Sequence, residues 1–423
     1  MRPRCTTWTW LLVVLSLAFA IRAAAAFAWQ ARLPSSTAFA LPDSTSYWEL
    51  ARTIAEGTPY QYGSHESRVF RTPGYPGILA VLFLSRSAAP PVLWARLLGA
   101  LLGTVAVASA MLLARLLFDR RAAWLTGWLT AIYPGGIALS ILVLSEAPFC
   151  PLMLVQLIFW VMAWNTPRLS SRNAWSALAG VVGGVATLMR PSWLLFTPFC
   201  LVVFLLRGER KKHLGIGCVM LAGLGLTMLP WWIRNYQVTG TPVLTTLQVG
   251  ASLYDGLNPT ATGASDMSFT QDFYWDLKNR GDADRGSFEV RLDRMQRTAA
   301  WEWVRREPGR VFDLAIVKFG RMWNIWPNSA ETGSVWIRML VTIGYLPLLV
   351  LSVLGTWKFV RFNNPAVLCL LPAVYLTALH TIFVSSIRYR QPAMLALIVL
   401  AAAALAEISR GGLRRGSREA EIE

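Results

Sequence analysis

Apolar stretches near 8–29, 91–118, 122–141, 147–164, 174–189, 192–206, 214–233, 335–356, 365–384 and 393–409 alternate with short polar gaps along this chain. An α-helix needs about 20 apolar residues to cross a hydrocarbon core of about 30 Å, and most of these stretches have that length. The gaps fall into two classes. Those at 118–121 (FDRR), 165–173 (NTPRLSSRN), 207–213 (RGERKKH) and 357–364 (WKFVRFNN), with the tail from Arg410, are basic. The alternate gaps are short, around Ser145, Arg190 and Arg388, or long, over 30–90 and 234–333. Cytoplasmic loops carry the excess of Lys and Arg. The pattern therefore predicts an all-α polytopic membrane protein, a bundle of about ten transmembrane helices in a single membrane-embedded domain over 1–423. Both termini are expected in the cytoplasm, with the two long loops on the outer face of the cell membrane.

The first stretch reads as an uncleaved anchor. AAAAFA (23–28) offers small-residue cleavage sites, but an apolar run over 8–29, interrupted by Arg22, is long for a signal-peptide core. No internal repeat of the kind that marks many secondary transporters is visible.

Within the first long loop, Tyr47, Leu50, Ala51 and Ile54 recur with helical spacing, and Glu49, Arg52, Thr53 and Glu56 face the other way. This predicts an amphipathic helix at the membrane interface. Ser46 with Glu49 has the form of a capping box, and Gly57 is a natural stop. In the second long loop, PGRVFDLAIVKFGRMWNIWP (308–327) sets Lys318 and Arg321 among aromatics. Charges are costly in mid-bilayer, so this element is expected to be interfacial too.

Composition supports the membrane reading: 55% of the 423 residues are hydrophobic and 15% charged, against roughly a quarter charged in soluble domains. The net charge of +17 follows from the basic gaps, and no nucleic-acid-binding motif accompanies it. Cys5, Cys150, Cys200, Cys218 and Cys369 form no CxxC and mostly lie inside apolar runs, as small core residues do. No phosphate-binding loop, HExxH or GxSxG is present.

Two acids stand out. Asp43, in PDSTSYWELA, just beyond the first apolar run, has two readings. It is either a helix N-cap or a general base at the membrane face that deprotonates an acceptor hydroxyl. Glu146, in LVLSEAPF, lies between two predicted spans, where a carboxylate needs a partner or water. It reads as a polar loop residue or as a second catalytic carboxylate. Five arginines on the outer side oppose the positive-inside rule: Arg71, Arg190, Arg234, Arg388 and Arg390. Guanidinium forks suit phosphate oxygens, so the five are candidates to bind a lipid phosphate. Arg22 and Arg96, by contrast, fall within predicted spans.

DSTSYWELARTIAEGTPY followed by RTPGYPGILAVLFL resembles the first outer loop of GT-C membrane glycosyltransferases. More narrowly, it resembles the bacterial relatives of protein O-mannosyltransferases and of the lipid A aminoarabinose transferase, which are glycosyltransferase family 39-like. LVLSEAPF, RPSWLLFTP, PWWIRNYQVTGTP, WEWVRREPGRVFDLAIVKFGRMW and RYRQPAMLALIVLAA extend the resemblance through almost the whole chain. It implies interfacial helices over a cavity, and inverting transfer of a sugar from a polyprenyl-phosphate carrier to a hydroxyl-bearing acceptor. By this resemblance Asp43 is the base, Glu146 the second-loop carboxylate and Arg71 the basic residue ahead of the first-loop prolines. Ser44 stands where relatives often carry a second acid, and some carry Lys where this chain has Arg71. Those departures leave donor sugar and acceptor class open.

Tyr47, Tyr75 and Tyr254 are candidates to stack on the sugar or to anchor the interface. Lys318 is a further candidate substrate contact, and His65 reads as a surface residue. No essential metal is expected because arginines neutralise a monophosphate, although some relatives use a divalent cation. A transporter or flippase, or a polymerase or ligase acting on a diphosphate-linked glycan, are the rival classes.

Overall fold

Proline and glycine decide where the apolar runs become helices, where those helices break, and how closely they pack. The computed structural model describes residues 4–35, 39, 41–85, 90–207, 210–280, 286–327 and 334–419. Seventeen α-helices and no strand are present among the described residues.

Seven helical segments are long and apolar enough to cross a membrane: Trp8–Gln30, Val92–Leu117, Glu146–Asn165, Arg210–Thr239, Val335–Phe359, Pro365–Ile382 and Ile387–Arg410. The chain is a multi-pass membrane protein. The other three predicted runs are helical in different ways. The run 122–141 is split into Arg120–Ile132 and Pro134–Ile141, with Tyr133 between them at φ −64 and ψ 115. Pro134 lacks an N–H and drives the residue before it out of the helical region. Leu169–Met189 opens on a polar stretch, and 192–206 yields the twelve-residue helix Phe196–Arg207.

The two cations inside predicted spans are explained by such breaks. Arg22 donates to the carbonyls of Thr130 (3.1 Å) and Ala131 (3.0 Å), which the break before Pro134 leaves open. Arg96 donates to Ile141 O, at the end of the next helix, and to Gln30 Oε1 at 2.9 Å. A cation at a helix C-terminus satisfies carbonyls that have no partner within the helix.

Helices Leu169–Met189 and Arg210–Thr239 approach so closely that a Cβ on Gly180 would lie 2.2 Å from Met220 O. Small residues permit such contacts in membranes. The final helix is deeply enclosed, with Ala393, Met394, Ala396 and Ile398 fully buried. Cys150, Cys200 and Cys369 are core residues as expected, whereas Cys218 is exposed. The side chain of Cys5 lies outside the described residues.

The first long loop forms the helix Pro42–Glu56, beginning earlier than the capping-box pattern implies. Pro42 occupies the first turn, where its missing N–H is harmless. Ser46 is therefore inside the helix and donates to Asp43 O (2.7 Å), while Glu49 pairs with Arg52 (2.7 Å). Gly57 ends the helix at φ +66, the left-handed conformation that favours glycine. Tyr47, Leu50 and Ala51 are buried as their spacing predicts, but Ile54 is exposed.

The second long loop builds the helices Val249–Gly256, Thr270–Asn279, Phe288–Arg306 and Pro308–Trp323. One face of Phe288–Arg306 pins both loops together. The Glu289 carboxylate accepts from the backbone N–H groups of Arg68 (2.9 Å) and Val69 (3.0 Å), and Asp293 Oδ1 accepts from Gly250 N (2.7 Å).

Candidate functional site

Three segments from distant parts of the sequence meet beneath the first-loop helix, and each owes its shape to a local signal. Arg190 follows Leu169–Met189 in an extended conformation (φ −139, ψ 102), because Pro191 disfavours continuation of the helix. Arg71 lies on a turn whose Gly74 presses on the end of that helix: a Cβ there would be 2.6 Å from Leu188 O. Tyr60 holds this turn by donating its hydroxyl to Arg71 O (3.1 Å). Arg388 is in the first turn of the final helix.

The carboxylate of Asp43 does not cap its own helix. It accepts from Arg71 Nη2 (2.7 Å) through Oδ1 and from Arg388 Nη1 (2.9 Å) through Oδ2. Arg388 also grips Glu146, with Nε at 2.5 Å from Oε1 and Nη2 at 3.1 Å from Oε2. Arg190 Nη1 lies 2.7 Å from the same Oε1. The result is a continuous alternation of charges: Arg71, Asp43, Arg388, Glu146, Arg190. Three guanidiniums face two carboxylates, leaving one positive charge in excess.

The two acids are not equivalent. Glu146 is fully buried at the start of Glu146–Asn165, whereas the Asp43 side chain is 36% exposed. Burial alone would raise the pKa of Asp43. The guanidiniums of Arg71 and Arg388 outweigh it and hold the carboxyl below its usual range.

A cavity of about 350 Å³ opens beside this ion-pair chain. Asp43, Arg71, Arg190 and Arg388 line it, and Tyr47, Phe70, Tyr375, Phe383 and Tyr389 add aromatic surface. Thr245, Thr246, Gln248 and Ser252, from the second long loop, complete the wall. Among the described residues, Asp43 is the sole carboxylate on the cavity surface; Glu146 stands behind it.

The structure thus brings together Asp43, Glu146, Arg71, Arg190, Arg388 and Tyr47, and places the other candidates elsewhere. Arg390 is two positions from Arg388, which on a helix turns it to another face. It is buried, donates to Met322 O (3.1 Å) and Asn324 O (2.5 Å), and stacks 3.6 Å above the Tyr345 ring. Arg234 lies over the rings of Tyr60 and Trp231 and donates to Arg68 O (2.8 Å), bracing the first loop from outside the cavity. Tyr75 is buried against the edge of Tyr47, with ring centroids 5.2 Å apart, and supports it from behind.

Tyr254 faces a separate hollow of about 170 Å³ beside Asp255. The Lys318 ammonium, fully buried, donates to Gly256 O (2.8 Å) and Ile382 O (2.7 Å). It therefore ties together two helix ends, and burial lowers its pKa to about 8. His65 is exposed.

Sequence reasoning overlooked several cavity residues. His380 stacks on Tyr389 (ring centroids 4.0 Å apart), and the Arg190 guanidinium sits 5.5 Å from the same Tyr389 ring. Position was their one signal: His380 falls at the end of an apolar run, and Tyr389 stands between two arginines. Among the described residues, no three His, Cys, Asp or Glu side chains are grouped so as to hold a metal ion.

Residues 90–233, about a third of the chain, match the protein-family model described as dolichyl-phosphate-mannose-protein mannosyltransferase. Solved structures share the fold over nearly the whole chain. The apo oligosaccharyltransferase of Archaeoglobus fulgidus overlays with a TM-score of 0.61 at 16% identity, covering 97% of this chain and 52% of that one. The same enzyme tethered to an acceptor peptide containing the NVT sequon gives 0.58 at 17% identity, covering 94% and 49%. The Archaeoglobus fulgidus AglB complex with an inhibitory peptide and a dolichol-phosphate gives 0.57 at 16% identity, covering 97% and 52%. The chain spans about half the length of these structures. At such identities the shared property is the fold, which is GT-C-like. No curated protein matches the chain. The resemblance to GT-C membrane glycosyltransferases carried by the quoted motifs therefore stands on the family match and on the fold.

Proposed function

We propose that this protein is an inverting glycosyltransferase that moves a sugar from a polyprenyl-phosphate carrier to an acceptor hydroxyl on the extracytoplasmic face of the cell membrane. The observation that carries the reading is the alternating ion-pair chain at the cavity wall, with its single excess positive charge and its one surface carboxylate.

A phosphodiester donor carries one negative charge, which matches that excess. Its phosphate is the leaving group, so charge accumulates on its oxygens as the anomeric bond breaks. Guanidiniums already gathered at the cavity wall stabilise that charge. Asp43 is the base: its carboxylate reaches the cavity and is ionised, and it removes the proton of the incoming hydroxyl. Glu146 has both oxygens engaged by arginines and no cavity surface, so it positions Arg190 and Arg388. Tyr47, under the Arg71 guanidinium at 5.2 Å, offers a face for the sugar.

A cavity of about 350 Å³ lies at the small end of the roughly 300–1,000 Å³ usual for small-molecule sites. That size favours one sugar and a phosphate over the oligosaccharide of a diphosphate-linked ligase. The intramembrane arginines that a transporter would use are engaged by helix-end carbonyls. The outward orientation is supported by the basic short loops, since cytoplasmic loops carry the excess of Lys and Arg.

The test is transfer from labelled polyprenyl-phosphate sugars by the purified protein supplied with membrane extract. No transfer from any monophosphate-linked donor counts against the reading. Arg71→Ala is expected to weaken donor binding by about 10- to 100-fold, as loss of a charge-assisted hydrogen bond does; unchanged affinity would remove Arg71 from the phosphate site. Transfer is also expected to persist in a chelator. Loss of activity that Mg²⁺ or Mn²⁺ restores would show that a metal, and not the arginines alone, neutralises the donor.

A further inference from the structure

Building on that reading, we infer that the wall formed by Thr245, Thr246, Gln248 and Ser252 recognises the donor's sugar through its hydroxyls, and that this sugar is uncharged. The cavity is chemically divided. Its ionic groups, Asp43 and three arginines, come from the first loop and the ends of spans, whereas the stretch TTLQVGAS (245–252) contributes only neutral side chains.

Those four side chains are unengaged, while the backbone that carries them is fixed. Thr245 O accepts from Trp231 Nε1 (2.7 Å), and Leu247 N donates to Val69 O (2.9 Å). Gly250 N donates to Asp293 Oδ1 (2.7 Å), and Ser252 N donates to Gln248 O (2.9 Å). The packing leaves no slack at Gly250, where a Cβ would be 2.2 Å from Asp293 O. Yet no side-chain hydrogen bond is made by Thr245, Thr246, Gln248 or Ser252 to any described residue. Thr245 and Thr246 are nonetheless buried. Buried polar groups find partners, and here the open side is the cavity.

Gln248 and Ser252 are four residues apart around the start of Val249–Gly256, so their side chains share one face. A Gln amide and Ser or Thr hydroxyls both donate and accept, as the hydroxyls of a sugar ring do. An ammonium group on the sugar would need an anion. The one carboxylate on the cavity surface, beside Arg71 and Arg388, is committed to the acceptor hydroxyl, and the remaining charges there are positive. Burying an unpaired cation beside them is unfavourable.

The experiment compares three ligands on the full-length protein in nanodiscs: undecaprenyl phosphate, its hexosyl phosphodiester, and an amino-pentosyl phosphodiester. Wild type is expected to bind the hexosyl carrier at least about tenfold more tightly than the amino-sugar carrier. Removing two neutral hydrogen-bonding groups with Gln248→Ala and Ser252→Ala together should weaken hexosyl-carrier binding by about tenfold. Affinity for bare undecaprenyl phosphate should stay within about twofold, which also shows that the variant is folded. The near-isosteric Thr246→Val should act in the same direction, and Gln248→Glu should move the preference toward the amino sugar. Equal binding of both sugars by wild type, or wall variants that leave the hexosyl-to-bare ratio unchanged, overturns the inference. If bare undecaprenyl phosphate binds equally well after Arg388→Ala, the phosphate site itself is wrongly placed, a separate failure.

Discussion

Asp43→Asn is expected to abolish sugar transfer while tightening, not weakening, the hold on the carrier phosphate. The carboxylate contacts Arg71 and Arg388 at 2.7 and 2.9 Å, so in the empty site it occupies guanidinium positions that the phosphate would use. An amide of the same shape competes less well for those donors and removes one negative charge. Affinity for undecaprenyl phosphate should rise a few-fold, as expected when a competing charge-assisted contact is lost. Transfer should nevertheless fall by about 10²–10⁴, the usual contribution of a general base. Because the two arginines hold the carboxyl below its ordinary range, Asp43 is ionised in the free protein. The kcat/KM profile should then show no loss from Asp43 until the pH falls below the ordinary carboxylate range. Full transfer by the variant would remove Asp43 as the base. Weakened phosphate binding would mean that its carboxylate organises the arginines and does not compete with the ligand.

Glu146→Gln should produce the opposite signature, a loss of stability and of donor binding together. Glu146 is fully buried and accepts from Arg388 through both oxygens and from Arg190 through one. The substitution leaves two desolvated guanidiniums without their shared anion. Breaking a buried pair from one side costs about 3–5 kcal/mol. At Asp43, with a third of its side chain exposed, solvent replaces most of what is lost, and the expected destabilisation is within about 1 kcal/mol. Thermal unfolding in detergent, read beside undecaprenyl phosphate binding, separates the two roles. A Glu146→Gln protein with wild-type stability and binding but no transfer would return Glu146 to direct chemistry.

Charge pattern and local chain geometry single out residues that the fold then gathers at one cavity. Arg71, Arg190 and Arg388 stand beside prolines or aromatics, away from the basic short gaps, and all three line the cavity. Arg390 and Arg234 carry the same signal, but tertiary contacts consume it: carbonyls of Met322 and Asn324 for one, and the Arg68 carbonyl for the other. Lys318 shows the same ambiguity, since a cation in an amphipathic helix can face a substrate or the end of another helix. Spacing predicts the helix at Pro42–Glu56, yet the helix starts ahead of the Ser46 pattern because Pro42 offers a better first turn.

By itself the sequence determined that the chain is helical and membrane-spanning, which segments are amphipathic, and that carboxylates and arginines gather at the ends of spans. Those properties follow from periodicity, length and charge, which act over one helix at a time. The tertiary structure alone decided that Asp43 and Glu146 share Arg388, that one acid reaches the cavity while the other is sealed behind it, and that Thr245–Ser252 forms the neutral wall. These outcomes depend on which face of one helix meets another across hundreds of residues, and packing settles that only after the local elements exist.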